Sequence, residues 1–203
     1  MRLASIKLRH LPQYRDGFDK PKLVMSAFNR KFKPGDFVFV SDMGDMWGDW
    51  VPRDWILRVL KYIRRYPRST FLFLTKNPAR YHEFLDFMPE NVVLGATIET
   101  NRDTLTAEIS RAPPPSKRYH AMRTLPWPRK LISIEPVLDF DHEILLKWVL
   151  DIGPELVYIG YDNYNNRLRE PSLAKTKRLI DDLKNHGVRV EIKTLRPEWY
   201  EKY

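Results

Sequence analysis

Hydrophobic residues along this chain gather in short, almost unbroken runs, and between the runs they recur every three or four positions. FVFVS (37–41), FLFLT (71–75), VVLGATIE (92–99), KLISIEP (130–136), LVYIG (156–160) and VRVEIK (188–193) read as six strands. Continuous apolar runs, rather than strict alternation, fit strands buried on both faces, as in a parallel sheet covered by helices. Between 52 and 66, Trp55, Ile56, Val59, Leu60 and Ile63 form one helical stripe. Pro52 suits its first turn and Pro67 its end. Asn77 and Pro78 predict a second helix that stops near Met88. Asp141 predicts the cap of a third, running to Leu150 with Ile144, Leu145, Trp148 and Val149 inward. A fourth spans 172–186 and ends at Gly187, where a left-handed glycine would close it. Residues 5–9 or 23–26 offer an additional N-terminal strand.

Strands alternating with helices leave two architectures, a barrel or an open doubly wound sheet. In both, function sits where the strands end. Polar residues collect there: Asp42, Lys76, Glu99, Glu135, Tyr161, Asp162 and Lys193. No Gly-x-Gly-x-x-Gly and no Gly-rich Lys-Ser/Thr loop occurs, so the usual dinucleotide and P-loop fingerprints are absent. Residues 1–203 read as a single domain. Its one long connection, 100–129, is an insertion or lid at the strand-end rim, or a plain solvent-exposed excursion. It holds the stiff run Pro113, Pro114 and Pro115, then a short helix over 117–125 with Ser116 as its cap.

Composition narrows the chemistry. The 203 residues are 43% hydrophobic, enough for one sizeable core. Thirty-five Lys and Arg against 26 Asp and Glu give a formal charge of +9. That excess favours an anionic partner, whether nucleic acid, an anionic cofactor or a membrane surface. There is no cysteine, which excludes a disulfide framework and any thiolate-held metal or iron–sulfur cluster on this chain. No apolar run is long enough to span a bilayer, and the first residues lack the apolar centre of a secretion signal, so a cytoplasmic protein is expected. Abundant charge with a single glutamine, Gln13, leans towards a heat-adapted source.

Several residue sets carry candidate chemistry. Asp42, Asp45 and Asp49 follow the first strand, and with Glu99 and Glu135 they make a ring of oxygens suited to Mg²⁺ or Mn²⁺. Asp42 and Asp45 organising a turn, with Asp49 capping the next helix, is the structural alternative. Glu135 ends an apolar strand, where a carboxylate needs a partner, and Lys76 or Lys193 is available as one. Those three are the catalytic candidates, the lysines as point charges for a phosphate or carboxylate. Arg111, Lys117, Arg118, Arg123, Arg129 and Lys130, interleaved with Tyr119, His120 and Trp127, have the ingredients of single-strand binding, of ordinary solvated charge or of a protein contact. Arg64, Arg65 and Arg68 form a second basic run at a helix end, where cations also simply offset the helix dipole. Tyr161, Asp162 and Asn163 open a polar loop suited to ligand contact. Trp47 and Trp50 suit stacking on a base or packing on the next helix. The five histidines show no paired spacing for zinc.

The strand-end motifs, taken in order, resemble the phage Gp37/Gp68-type family, a branch with radical-SAM-like features. They are Ser41–Asp42–Met43–Gly44–Asp45, Leu74–Thr75–Lys76, the stretch from Asn91 to Gly95, and Ile134–Glu135–Pro136. The likeness spans about residues 35–193. It implies an incomplete TIM-type barrel, α/β, with a mostly parallel sheet of six to seven strands and outer helices. It also implies that Glu135 faces the barrel mouth. Radical SAM relatives hold a four-iron cluster through three cysteines after the first strand, and this chain has none. Their glycine-rich turn reads here as Gly160–Tyr161–Asp162–Asn163, which weakens the expectation of S-adenosylmethionine binding. A shortened barrel exposes a sheet edge, which self-association or a second polypeptide would cover.

The resulting expectation is a cluster-less barrel protein that binds nucleic acid or another anionic ligand. The alternatives are a metal-dependent phosphoryl hydrolase or transferase, with Asp42, Asp45, Glu99 and Glu135 holding the metal, and one half of a split radical enzyme.

Overall fold

The computed structural model describes residues 21–41 and 44–199. Six strands form one parallel sheet: β1 (Phe37–Val40), β2 (Thr70–Thr75), β3 (Val92–Thr97), β4 (Lys130–Ile134), β5 (Leu156–Ile159) and β6 (Val190–Ile192). Each strand pairs only with its neighbours in sequence, in the order β1-β2-β3-β4-β5-β6. A doubly wound sheet reverses its strand order part-way. This one never reverses, and it curls into a half-barrel with helices on its convex side.

The helices are α1 (Arg53–Ile63), α2 (Asp103–Ala107), α3 (Pro115–Thr124), α4 (His142–Ile152) and α5 (Leu173–Asn185). Ile56, Leu60 and Ile63 of α1 are buried, as the stripe predicts. Gly187 follows α5 with φ +79°, and its amide donates to Lys184 O at 2.9 Å, so it is the helix-stopping glycine. Alternate strand residues, among them Phe71, Phe73, Val92, Leu94, Ile132, Ile134, Val157 and Ile159, meet the helices in the main core. The other set, centred on Leu72, Val93 and Leu131, lines the concave face.

Four expectations change. The segment Pro78–Phe87 is a 3-10 helix, not an α-helix. Side chains three apart eclipse in a 3-10 helix, which puts Pro78, Tyr81 and Phe84 in one buried row. Residues 23–26 form no strand, because a 3-10 turn occupies Met25–Asn29. Residues 5–9 lie outside the described residues. Ile144 is 46% exposed, and α4 buries Leu145, Leu146, Val149 and Ile152 instead. Within 100–129, α3 packs against both the 3-10 segment and α4, and its first residue is Pro115, so Ser116 lies inside the helix. The Ser116 hydroxyl and amide both bond Asp103 of the short helix α2, which the sequence reading did not anticipate.

Candidate functional site

Parallel pairing keeps registered residues on the same face, and successive residues alternate faces. The concave face is therefore built in rows. Leu74, Gly95, Leu131 and Leu156 are in register, and Thr97, Ser133, Tyr158 and Glu191 form the next row. Two residues further on, at the rim, lie Glu99, Glu135, Gly160 and Lys193, with Lys76 beside Thr97. Small residues, Gly95, Thr97 and Ser133, occupy the middle of this face. A Cβ on Gly95 would come 3.1 Å from a Leu74 methyl and 3.3 Å from one on Leu131.

Glu99 is almost fully buried, 3% exposed. Burial by itself pushes its carboxyl up, but Lys76 and Arg118 outweigh that and hold it below the ordinary glutamate value. The Lys76 ammonium pairs with Oε1, and Arg118 Nη1 reaches Oε2 at 2.6 Å. Arg118 has no exposed surface, and it also donates to Thr97 O and Pro113 O. Its Nη2 is buried without a hydrogen-bond partner. Lys76 is thus committed to an ion pair across the mouth, the structural alternative for that residue.

Glu135 is different. It precedes Pro136 through a cis peptide bond. Half-buried, it makes no hydrogen bond and no ion pair among the described residues, and burial pushes its carboxyl up against the opposing pull of Lys193. Lys193 lies over the Tyr158 ring at 4.1 Å, and its one ion pair, to Glu191, is long at 3.8 Å. Gly160 separates the two. A Cβ there would sit 3.0 Å from Lys193 Cβ and from the Thr194 amide nitrogen, and 3.5 Å from Glu135 Oε1. A free carboxyl and a weakly held ammonium therefore face the concavity across a strand end stripped of its side chain.

The carboxylate ring expected for a metal does not assemble among the described residues, where no group of three or more His, Asp or Glu is placed to hold a metal ion. Asp45 spends its oxygens on the amides of Trp47 and Lys76 and on the Thr75 hydroxyl, which fastens the loop after β1 to the end of β2. Asp49 accepts from Asn77 Nδ2 at 2.7 Å rather than capping α1, whose cap position is Pro52. Asp42 lies outside the described residues. Trp47 is fully buried against Phe73, Tyr81 and Phe84, so it packs, while Trp50 is 66% exposed.

Tyr161 and Asp162 shape the loop after β5 from within. Tyr161 is buried, and its hydroxyl bonds Thr176 and Pro171 O. Asp162 accepts from the amides of Tyr164 and Asn166, an Asx-type turn. Asn163 is exposed and accepts from the Thr194 hydroxyl. A cavity of about 400 Å³ opens on the same rim, lined by Arg102, Leu105, Asp139, Glu198 and the stretch 167–170. Arg102 binds Asp139 and Asp141, and with Asn101 it holds the Asp141 carboxyl down at about 2. Arg196 ties Glu170 at 2.7 Å and also donates to Asp162 O.

Comparison with known proteins bears on this arrangement. A family described as proteins of unknown function, DUF5131, matches residues 18–160. The chain belongs to this family. No curated protein matches the sequence. Among solved structures the fold resembles Streptococcus suis SuiB bound to S-adenosylmethionine, with a TM-score of 0.53 at 11% identity. The likeness covers 78% of this chain and 38% of SuiB, so this chain spans well under half of that protein.

In this DUF5131 chain the basic set of 111–130 does not form one face. Arg118 and Lys130 are buried, and burial pushes the Lys130 ammonium down. Lys130 Nζ donates to Met122 O, near the end of α3, and lies 3.4 Å from Ile152 O at the end of α4. Tyr119 stacks on Trp148 at 4.6 Å and donates to Asp151, Trp127 donates to Val92 O, and Arg129 pairs with Glu155. Only Arg111, Lys117 and Arg123 remain exposed without an ion pair. The sequence reading missed Arg118 as the partner of Glu99. The signal was present: Pro115, Arg118, Tyr119 and Met122 share helical spacing and are the buried side of α3, so an arginine stood among core positions. No helix among the described residues is long and apolar enough to cross a membrane.

Proposed function

We propose that this chain is a cluster-less, radical-SAM-like barrel protein of the phage Gp37/Gp68 type that binds a small zwitterionic ligand at its strand-end mouth. The observation that carries the reading is Glu135: a half-buried carboxyl with no partner among the described residues, beside a lysine held there by a ring and a long ion pair. Uncompensated burial of a carboxyl is costly, and a ligand cation would repay it. Lys193 supplies the complementary charge for a ligand carboxylate or phosphate. Gly160 lets the two side chains flank one strand end closely, since a Cβ there would meet Lys193 Cβ at 3.0 Å and Glu135 Oε1 at 3.5 Å.

The iron–sulfur cluster of radical SAM proteins does not fit this chain, which has no thiolate to offer. S-adenosylmethionine itself suits the free pair. Its ammonium or sulfonium matches Glu135 and its carboxylate matches Lys193, and it is the compound held by SuiB. Titration calorimetry with S-adenosylmethionine is the direct test. Saturable heat that is lost in Glu135→Gln and in Lys193→Ala supports the site. Absence of heat in the wild type, or full retention in both variants, rejects it. Because burial raises the Glu135 carboxyl, affinity is expected to fall on acidification at a higher pH than an ordinary glutamate would give.

A further inference from the structure

The end of the half-barrel opposite the mouth carries a second, differently built surface. Seven cations meet there: Arg30, Lys31 and Lys33 ahead of β1, Lys61 in the last turn of α1, and Arg64, Arg65 and Arg68 between α1 and β2. Contacts bring the two stretches together. The Tyr62 hydroxyl donates to Arg30 O, the Ser69 hydroxyl donates to Lys33 O at 2.9 Å, and the Gly35 amide donates to Arg68 O at 2.8 Å. All seven are exposed, and none makes an ion pair with a described residue, whereas the ion pairs between described residues lie at or after Lys76. Asp36, the carboxylate beside them in sequence, spends Oδ2 on the Lys33 amide.

Lys61 and Arg64 also offset the negative end of α1, but seven like charges held together repel one another, and an anionic partner would relieve that repulsion. Under them lies an aromatic platform. Phe28, Phe32, Tyr62 and Tyr66 pack edge to face, Arg65 lies over Tyr62, and Arg30 lies over Phe32, each at 5.5 Å. Guanidinium planes laid on rings keep their donors directed for phosphate and keep a flat face for a base. We propose that this end of the molecule binds the phosphate backbone of single-stranded nucleic acid. An interfacial membrane anchor needs a projecting apolar face. Here the rings are packed into one another, and the adjoining 3-10 turn and its cap add only Val24 and Met25.

The test is fluorescence anisotropy with a labelled, mixed-sequence single strand of about 20 nucleotides, read across a salt series. The wild type is expected to bind with a steep salt dependence. The triple variant R64Q/R65Q/R68Q is expected to bind at least about tenfold more weakly, with the logarithmic salt slope reduced by about 2, at roughly 0.7 per lost phosphate contact. Arg64 and Arg65 make local contacts, so K31Q/K33Q serves as a second variant, whose side chains make no hydrogen bond or ion pair with a described residue, and it should lower the slope by about 1.4. R111Q/K117Q/R123Q should bind as the wild type does. No binding, binding unchanged in both patch variants, or binding to phosphatidylserine vesicles in place of the oligonucleotide would overturn the proposal. S-adenosylmethionine calorimetry on the same variants keeps failure here separate from failure at the mouth.

Discussion

Glu99 and Glu135 stand on adjacent strands in the same row, yet they have opposite electrostatic fates. Glu99 answers two cations, one of them fully buried. Its carboxyl is held low, so its stabilising contribution is complete above the ordinary glutamate range and disappears as pH falls through its depressed value. Glu99→Gln strands Arg118 without a counter-charge and is expected to cost on the order of 3 kcal/mol at neutral pH, read from urea midpoints. Glu135 behaves inversely. Its carboxyl is raised, so the folded state binds the proton more tightly than the unfolded chain, and stability drops as pH rises through that window. Glu135→Gln should therefore raise Tm at pH 7 and leave it nearly unchanged below pH ~4, beneath the ordinary glutamate value. A Tm lowered at pH 7 would mean that the carboxylate has a structural partner after all. Gly160→Ala tests the space beside it. Its methyl meets the Thr194 amide nitrogen at 3.0 Å, so a loss of about 1–3 kcal/mol and weakened ligand binding are expected.

At the level of elements, period and punctuation located the six strands and the longer helices, because apolar runs and prolines report directly on burial and helix ends. Pro78–Phe87 was legible as helical but not as 3-10, although Pro78, Tyr81, Phe84 and Phe87 recur every third residue. The payoff of that geometry is Tyr81. Its buried hydroxyl donates to Gly95 O at 2.8 Å and to Phe73 O at 3.2 Å, tying β2 and β3 to the layer outside them. Tyr81→Phe is expected to cost about 1 kcal/mol in denaturant melts, with the fold retained. The site was legible in part. Lys76, Glu99, Glu135 and Lys193 could be placed at one rim because strands end there. Which of them was committed could not be seen, because Arg118 arrives from a helix 19 residues beyond Glu99. The polar letters of 161–163 looked like ligand contacts, but Tyr161 and Asp162 turn inward to hold their own loop. The basic letters of 111–130 misled for a similar reason, since residues interleaved in sequence were divided by α3 between core and surface.

For the molecule as a whole, composition offered a surplus of positive charge without an address. Ion pairs between described residues lie at or after Lys76, and the seven cations of 30–68 have none of them, so part of the excess has a location, away from the mouth. The unreversed strand order carries a separate consequence, for synthesis. Each strand finds its partner in the unit made just before it, and no pairing waits for a distant part of the chain. Pairing with the preceding unit keeps each loop closure near the shortest that a parallel crossover allows. A chain leaving the ribosome can thus add one strand and one helix at a time to an arc that already exists, and a stalled product would be a shorter arc of the same curvature.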